Sequence, residues 1–122
     1  MNFDFTPQQT EFRETISRYL KDNHSFEQRK HIVTDAASSA RIWKALAALG
    51  VQGATFSESV GGSGGNAVES LVVMEEFGRA LVAQPYVSAV VMAGCALRSV
   101  SSAVSDDLCR AIVSGDAIFA IA

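Results

Sequence analysis

Apolar residues recur along this chain at helical spacing. Phe12, Ile16, Tyr19 and Leu20 fall on one stripe, with Arg13, Glu14, Arg18 and Lys21 off it. Thr6-Pro7-Gln8-Gln9 reads as the start of this first helix, with Thr as N-cap, Pro at the first helical position and Gln closing a capping box. It is predicted to end near Asp22 and Asn23. A second helix is predicted over about 38–49, with Ile42, Leu46 and Leu49 on one face, Trp43 beside that face as a core anchor, and Gly50 as the stop. Residues 23–35 are polar and poorly periodic, and no element is assigned to them. Residues 51–65 read as a loop ending in Gly61-Gly62-Ser63-Gly64-Gly65. Asn66 and Glu69 then form a capping box for a third helix, with Val68, Leu71, Val72, Phe77 and Leu81 as its apolar face.

Pro85 opens a predicted fourth helix through about residue 100, apolar nearly all round and so expected to be buried on most sides. Ala89, Ala93 and Ala96 make a small-residue stripe along it, which either admits a closely packed helix or leaves space for a ligand. A fifth helix over about 105–114 carries Leu108 and Ile112 and stops at Gly115. Residues 116–122 change character to a continuous apolar run that resembles a buried strand. The expectation is therefore an all-α bundle of about five helices over residues 1–115, with 116–122 as the start of a truncated β domain.

Length and composition fit this picture. The chain has 122 residues, 48% of them apolar and 19% charged, enough to bury a core in one domain. Of the net charge of −3, residues 1–44 contribute +1 (seven Lys/Arg against six Asp/Glu) and residues 45–122 contribute −4 (three against seven). No run of basic residues is present, which argues against a nucleic-acid partner. The N-terminal residues carry acids and no apolar stretch of signal-peptide type. The most apolar segment, 86–97, is too short to span a bilayer. A soluble, cytoplasmic protein without membrane insertion is expected.

Candidate chemistry is sparse. The glycine loop matches neither G-x-G-x-x-G nor G-x-x-x-x-G-K-[ST], and no Lys or Arg occurs between Lys44 and Arg79, so a tight turn is favoured over a phosphate cradle. Glu75 and Glu76 are adjacent on a helix and point about 100° apart, too far to act as an acid–base dyad. An ion pair between Glu75 and Arg79 is the expected use of the first. His24 and His31 lack partners at metal-ligand spacing, and no metal site is expected. Cys95 and Cys109 fit no C-x-x-C spacing and are expected to be small buried hydrophobes. No catalytic residue stands out.

The order of these parts resembles the N-terminal helical domain of the acyl-CoA dehydrogenase family. Asp4-Phe5-Thr6-Pro7-Gln8-Gln9 is similar to that family's opening, and Trp43-Lys44-Ala45-Leu46-Ala47-Ala48-Leu49-Gly50 to its "W-x-x-L-A-x-L-G" helix end. Ser57-Glu58-Ser59-Val60-Gly61-Gly62-Ser63-Gly64 resembles "P-E-x-Y-G-G-x-G", with Ser57 and Val60 replacing the usual Pro and Tyr. Glu75-Glu76-Phe77-Gly78-Arg79 and Ile112-Val113-Ser114-Gly115-Asp116 resemble two further family signatures, and all five are collinear.

The resemblance implies an FAD-dependent α,β-dehydrogenation of an acyl-CoA thioester, in which a Glu takes a Cα proton, hydride leaves Cβ for the flavin, and electrons pass to an electron-transfer flavoprotein. The family's flavin-contact strand and catalytic Glu would lie beyond Ala122. It also implies a homo- or hetero-oligomer and places the fourth helix beside the acyl tail. Tyr86, Ala89, Val90 and Ala93 thereby become candidate pocket-lining residues. The chain alone is expected to bind no FAD and to be inactive. A related flavin oxidase or monooxygenase, and a non-catalytic helical subunit, are the alternatives. An exposed apolar tail at 118–121 counts against the last of these.

Overall fold

The computed structural model describes residues 2–122, and every regular element among them is helical. Helix α1 (Pro7–Asn23) starts as its sequence requires: Thr6 Oγ1 accepts from the Gln9 backbone while Gln9 Oε1 accepts from the Thr6 N–H. Helix α2 (Phe26–Thr34) occupies the stretch that showed no periodicity. Ile32 is its one buried residue, so burial leaves no stripe to read. The legible signal is local instead, a Ser25/Gln28 capping box with contacts of 2.8 and 3.3 Å. Helix α3 (Ala36–Ala48) begins two residues earlier than its periodicity predicts because Asp35 Oδ2 caps the Ser38 N–H at 2.8 Å.

Helix α4 (Ala67–Ala80) packs on α1, and α2 packs on α3. The predicted fourth helix is not continuous. A π-helical stretch, Val87–Met92, leads into the short helix α5 (Ala93–Arg98), because the Ala93 N–H reaches the Ser88 carbonyl five residues back. Nor is it buried on most sides: Val87, Ser88, Met92, Cys95 and Ala96 are exposed. The alanine stripe splits, with Ala89 and Ala93 buried and Ala96 outside. Cys109 is buried as expected, where burial and Asp106 push its thiol up, whereas Cys95 is exposed. Helix α6 (Ala103–Val113) packs on α5.

The core gathers Ile16, Leu20, Trp43, Leu46, Val72 and Phe77 around the loop residues Val51 and Phe56, so the loop is part of the interior. Its backbone groups are paired within it. The N–H groups of Gly61, Gly62, Ser63, Gly64 and Gly65 donate to carbonyls of Glu58, Ser57, Gly53, Phe56 and Ala54 at 2.8–3.0 Å. A Cβ on Gly62 would lie 2.1 Å from the Phe56 carbonyl oxygen. Residues 117–122 form no strand, since a lone strand has no partner for its backbone groups. They follow the Lys44–Asp116 ion pair, with Phe119 packed on the core and Ile118 and Ile121 exposed.

Two glycines give opposite expectations. Gly62→Ala should destabilise the fold by about 3 kcal/mol, because the clash is with backbone that cannot move aside. Gly78→Ala, in a helix interior with open space around it, should stabilise by about 0.5–1 kcal/mol. Urea unfolding of both variants checks the pair.

Candidate functional site

The chain turns sharply after α4. Leu81 adopts a left-handed conformation (φ 53°), which for leucine requires support. The Val82 N–H supplies it by bonding back to the Phe77 carbonyl at 2.9 Å, and Arg29 Nε donates to the Leu81 carbonyl at 2.8 Å. Pro85 then starts the segment that leads into the π-helical stretch.

Between the two lies an open groove of about 500 Å³. Met74, Phe77 and Leu81 form one wall, Tyr86, Val87 and Met92 the other, and Gly78 leaves space where any other residue would place a side chain. Phe77 and Tyr86 meet edge to face with centroids 5.6 Å apart. Tyr86 Oη donates to Ser70 Oγ at 3.4 Å, and burial pushes its phenol up, against smaller opposing effects of Ser70 and Arg98. Met74, Leu81, Val87 and Met92 are each about half exposed (47, 56, 46 and 52%), an uncommon concentration of apolar surface. The groove holds no carboxylate, histidine or lysine. Its chemistry is that of binding: it can sequester an apolar chain and exclude water, and it offers no proton acceptor.

Of the four residues singled out in the sequence, Tyr86 lines this groove, while Ala89, Val90 and Ala93 lie in the core at 1, 1 and 4% exposure. The α4 wall was less legible. Leu71 and Leu81, read as core-facing, are exposed, and the buried face runs through Val72, Val73, Glu76 and Phe77. An excess of apolar residues around α4, interrupted by Gly78, is the signal that marks a second apolar surface.

A polar clamp holds α4 against α1. Arg13 reaches Glu76 at 2.9 Å and Glu75 at 3.2 Å, and Arg79 reaches Glu76 at 3.5 Å. Glu75 thus pairs across helices rather than with Arg79, because Glu76, only 4% exposed, draws both guanidinium groups. Farther along, Gln9 Nε2 donates to Glu69 at 3.0 Å. Burial pushes the Glu69 carboxyl up, but hydrogen bonds from the Asn66 backbone and from Gln9 outweigh it and hold it below its ordinary value. His24 Nδ1 donates to the Ala80 carbonyl at 3.1 Å, His31 is exposed, and no metal-binding cluster occurs among the described residues. Among those residues no helix is long and apolar enough to cross a membrane.

The clamp gives two expectations. Arg13→Met, which leaves Glu76 with its more distant partner alone, should cost about 2–3 kcal/mol in urea unfolding at neutral pH. Because the folded pKa of Glu69 lies below the ordinary 4.5, its contribution is complete above that value and is lost as pH falls through the folded pKa. Glu69→Gln should therefore lower stability at about pH 6, and the difference from the wild type should shrink as pH falls through the folded pKa.

Residues 6–116 match the family described as "Acyl-CoA dehydrogenase, N-terminal domain". A probable acyl-CoA dehydrogenase of Bacillus subtilis (strain 168), YngJ, is 30% identical over 80 residues, which are 66% of this chain and 21% of YngJ. Among solved structures, a variant of the Tcur3481-Tcur3483 steroid ACAD superposes with a TM-score of 0.82 at 24% identity, over 93% of this chain and 31% of its own. The ChsE4-ChsE5 complex from Mycobacterium tuberculosis gives a TM-score of 0.74 at 19% identity, over 95% of this chain and 30% of its own. The chain thus spans between a fifth and a third of the proteins it matches. With the fold and the collinear motifs, the family match establishes that this chain belongs to the acyl-CoA dehydrogenase family, as its N-terminal helical domain.

Proposed function

We propose that this chain forms one wall of the acyl pocket in an FAD-dependent acyl-CoA dehydrogenase, which oxidises the Cα–Cβ bond of an acyl-CoA thioester and passes the electrons to an electron-transfer flavoprotein. The observation that carries the reading is the apolar groove between α4 and the π-helical stretch, on a chain of this family. Phe77 and Tyr86 would hold one side of the acyl group in a fixed orientation, and Met74 and Met92, being flexible, would adapt to its outline. Ala89, Val90 and Ala93 would set the position of Tyr86 and Val87 from behind by their small volume. A bulky or branched acyl group suits a groove of this size, and one structural neighbour is a steroid ACAD.

The residues of the glycine loop do not fit the flavin's pyrophosphate. All five N–H groups from Gly61 to Gly65 are engaged by carbonyls, and no cation lies between Lys44 and Arg79 in sequence. In this reading the flavin and the base are supplied by sequence beyond residue 122, where residues 116–122 begin a β domain, and the chain alone is inactive. Association with further subunits, homomeric or heteromeric, and a cytoplasmic setting belong to the same proposal. A neighbour described as a complex supports the first.

Filling the groove tests it. In the full-length holoenzyme, Gly78→Leu should lower kcat/KM for the bulkiest accepted acyl-CoA at least about tenfold while leaving short acyl-CoAs within about threefold. An unchanged chain-length profile in a folded, flavin-loaded variant would sink the pocket-wall assignment.

A further inference from the structure

The residues that join α4 to the segment opened by Pro85 run between two open spaces. Leu81, Val82, Gln84 and Pro85 line the groove, while Ala83, Gln84 and Pro85 line a second cleft of about 380 Å³ whose far side is made by residues 32–36 and Ser39. Few bonds hold this strap between them. The Val82 N–H donates to the Phe77 carbonyl at 2.9 Å, and Arg29 Nε donates to the Leu81 carbonyl at 2.8 Å. Gln84 reaches Ser39 Oγ only over a long 3.4 Å, and its carbonyl bonds to Tyr86 beside it in the chain. Among the described residues no backbone hydrogen bond engages the Val82 carbonyl, either backbone group of Ala83 or the Gln84 N–H. Leu81 is held left-handed at φ 53°, and the buried Gln84 Oε1 is unpaired. Both features raise the energy of the observed arrangement and so narrow its gap to a displaced one. A segment with so few bonds and open space on either side moves at lower cost than the helices around it.

We propose that Leu81–Pro85 is a movable strap, which a bulky acyl chain displaces out of the groove and into the cleft beside α2 and α3. The inference rests on the acyl-pocket reading given above and adds to it how one groove admits large chains. In the displaced position Leu81 leaves its left-handed conformation, the Val82–Phe77 bond opens, and the groove gains the space of the cleft. Only a chain too large for about 500 Å³ gains contacts by this, which supplies the differential affinity that a ligand-driven shift requires. A short chain leaves the strap where it is. Arg29, through its bond to the Leu81 carbonyl, is the positioning residue that holds the strap against the groove.

The test measures amide hydrogen exchange in the full-length holoenzyme with two S-alkyl-CoA thioethers, one with a bulky ring-bearing tail and one with a butyl tail. Neither has the carbonyl that acidifies Cα, so neither is oxidised, and binding is followed by the flavin absorbance. The bulky probe should speed exchange at the Val82 amide at least about tenfold while slowing the groove-wall amides of 74–78 and 87–92. The butyl probe should leave Val82 unchanged. Arg29→Met should speed Val82 exchange about tenfold without any probe. Ala36→Trp, which fills the cleft from an exposed position, should abolish the bulky probe's effect at Val82. It should also lower kcat/KM for a bulky acyl-CoA at least about tenfold, with butyryl-CoA within about threefold. This kinetic comparison decides alone if Arg29→Met does not fold or the thioethers bind too weakly. Equal kcat/KM losses on both substrates, or no loss on either, would overturn the strap. A bulky probe that slows the groove amides but leaves Val82 unchanged or slower would overturn the strap and leave the acyl pocket in place. Probes that shift the flavin absorbance without altering exchange anywhere along the groove would overturn both readings together.

Discussion

Much of this fold depends on the enclosure of one aromatic ring. Phe56 is fully buried although it sits in a loop, and three segments converge on it. Its carbonyl receives the Gly64 N–H and lies so close to Gly62 that a side chain there would overlap it. Its ring packs on Gly94 of α5, where an added Cβ would come within 2.5 Å, and Arg98 stacks over it at 4.9 Å while donating to the Thr55 carbonyl. The glycines that resemble a phosphate-binding sequence serve this enclosure. Their amides close the loop on itself, which leaves no donor row facing an anion.

The second constraint is electrostatic. Helix α4 presents two carboxylates toward α1, and one of them, Glu76, is nearly removed from solvent. A buried carboxylate is stable only with its charge compensated, so Arg13 fixes the relative position of the two helices as well as their attraction. With one face of α4 committed to α1 and the core, Met74, Gly78 and Leu81 are left facing outward. The left-handed turn at Leu81 then brings Tyr86 and Val87 opposite them. The groove is therefore a consequence of how α4 is clamped and how its end is turned, and its apolar character follows from which side chains remain unburied.

Legibility divided along the same physical lines. Where a helix is started by its own side chains and turns its apolar stripe inward, as α1 does with Ile16 and Leu20 buried and Phe12 and Tyr19 half-buried, sequence and structure coincide. Helix α2 buries a single isoleucine and so leaves no periodic trace; only the Ser25 and Gln28 pair marks its start. The nearly continuous apolar composition of 85–100 predicts one buried helix, which the structure divides. Composition cannot distinguish an interior face from a ligand-facing one, and the π-helical widening depends on neighbours rather than on propensity. Tyr86 lies on the groove opposite α4 residues that no sequence pattern marks, since their outward facing is decided by Arg13, sixty residues away in the chain.

By itself, the sequence determined an all-helical domain, its family through five collinear motifs, the capping boxes that start α1 and α4, and the absence of a nucleotide-binding glycine signature. These are local properties, set by side chains bonding to backbone within a few residues or by a stripe repeating every three to four. Tertiary structure alone decided which carboxylate is buried, which cysteine is exposed, where the alanine stripe splits, and that Met74, Gly78 and Tyr86 share one groove. Each of these depends on the spatial meeting of residues far apart in the chain, and no local pattern encodes the angle at which two helices meet.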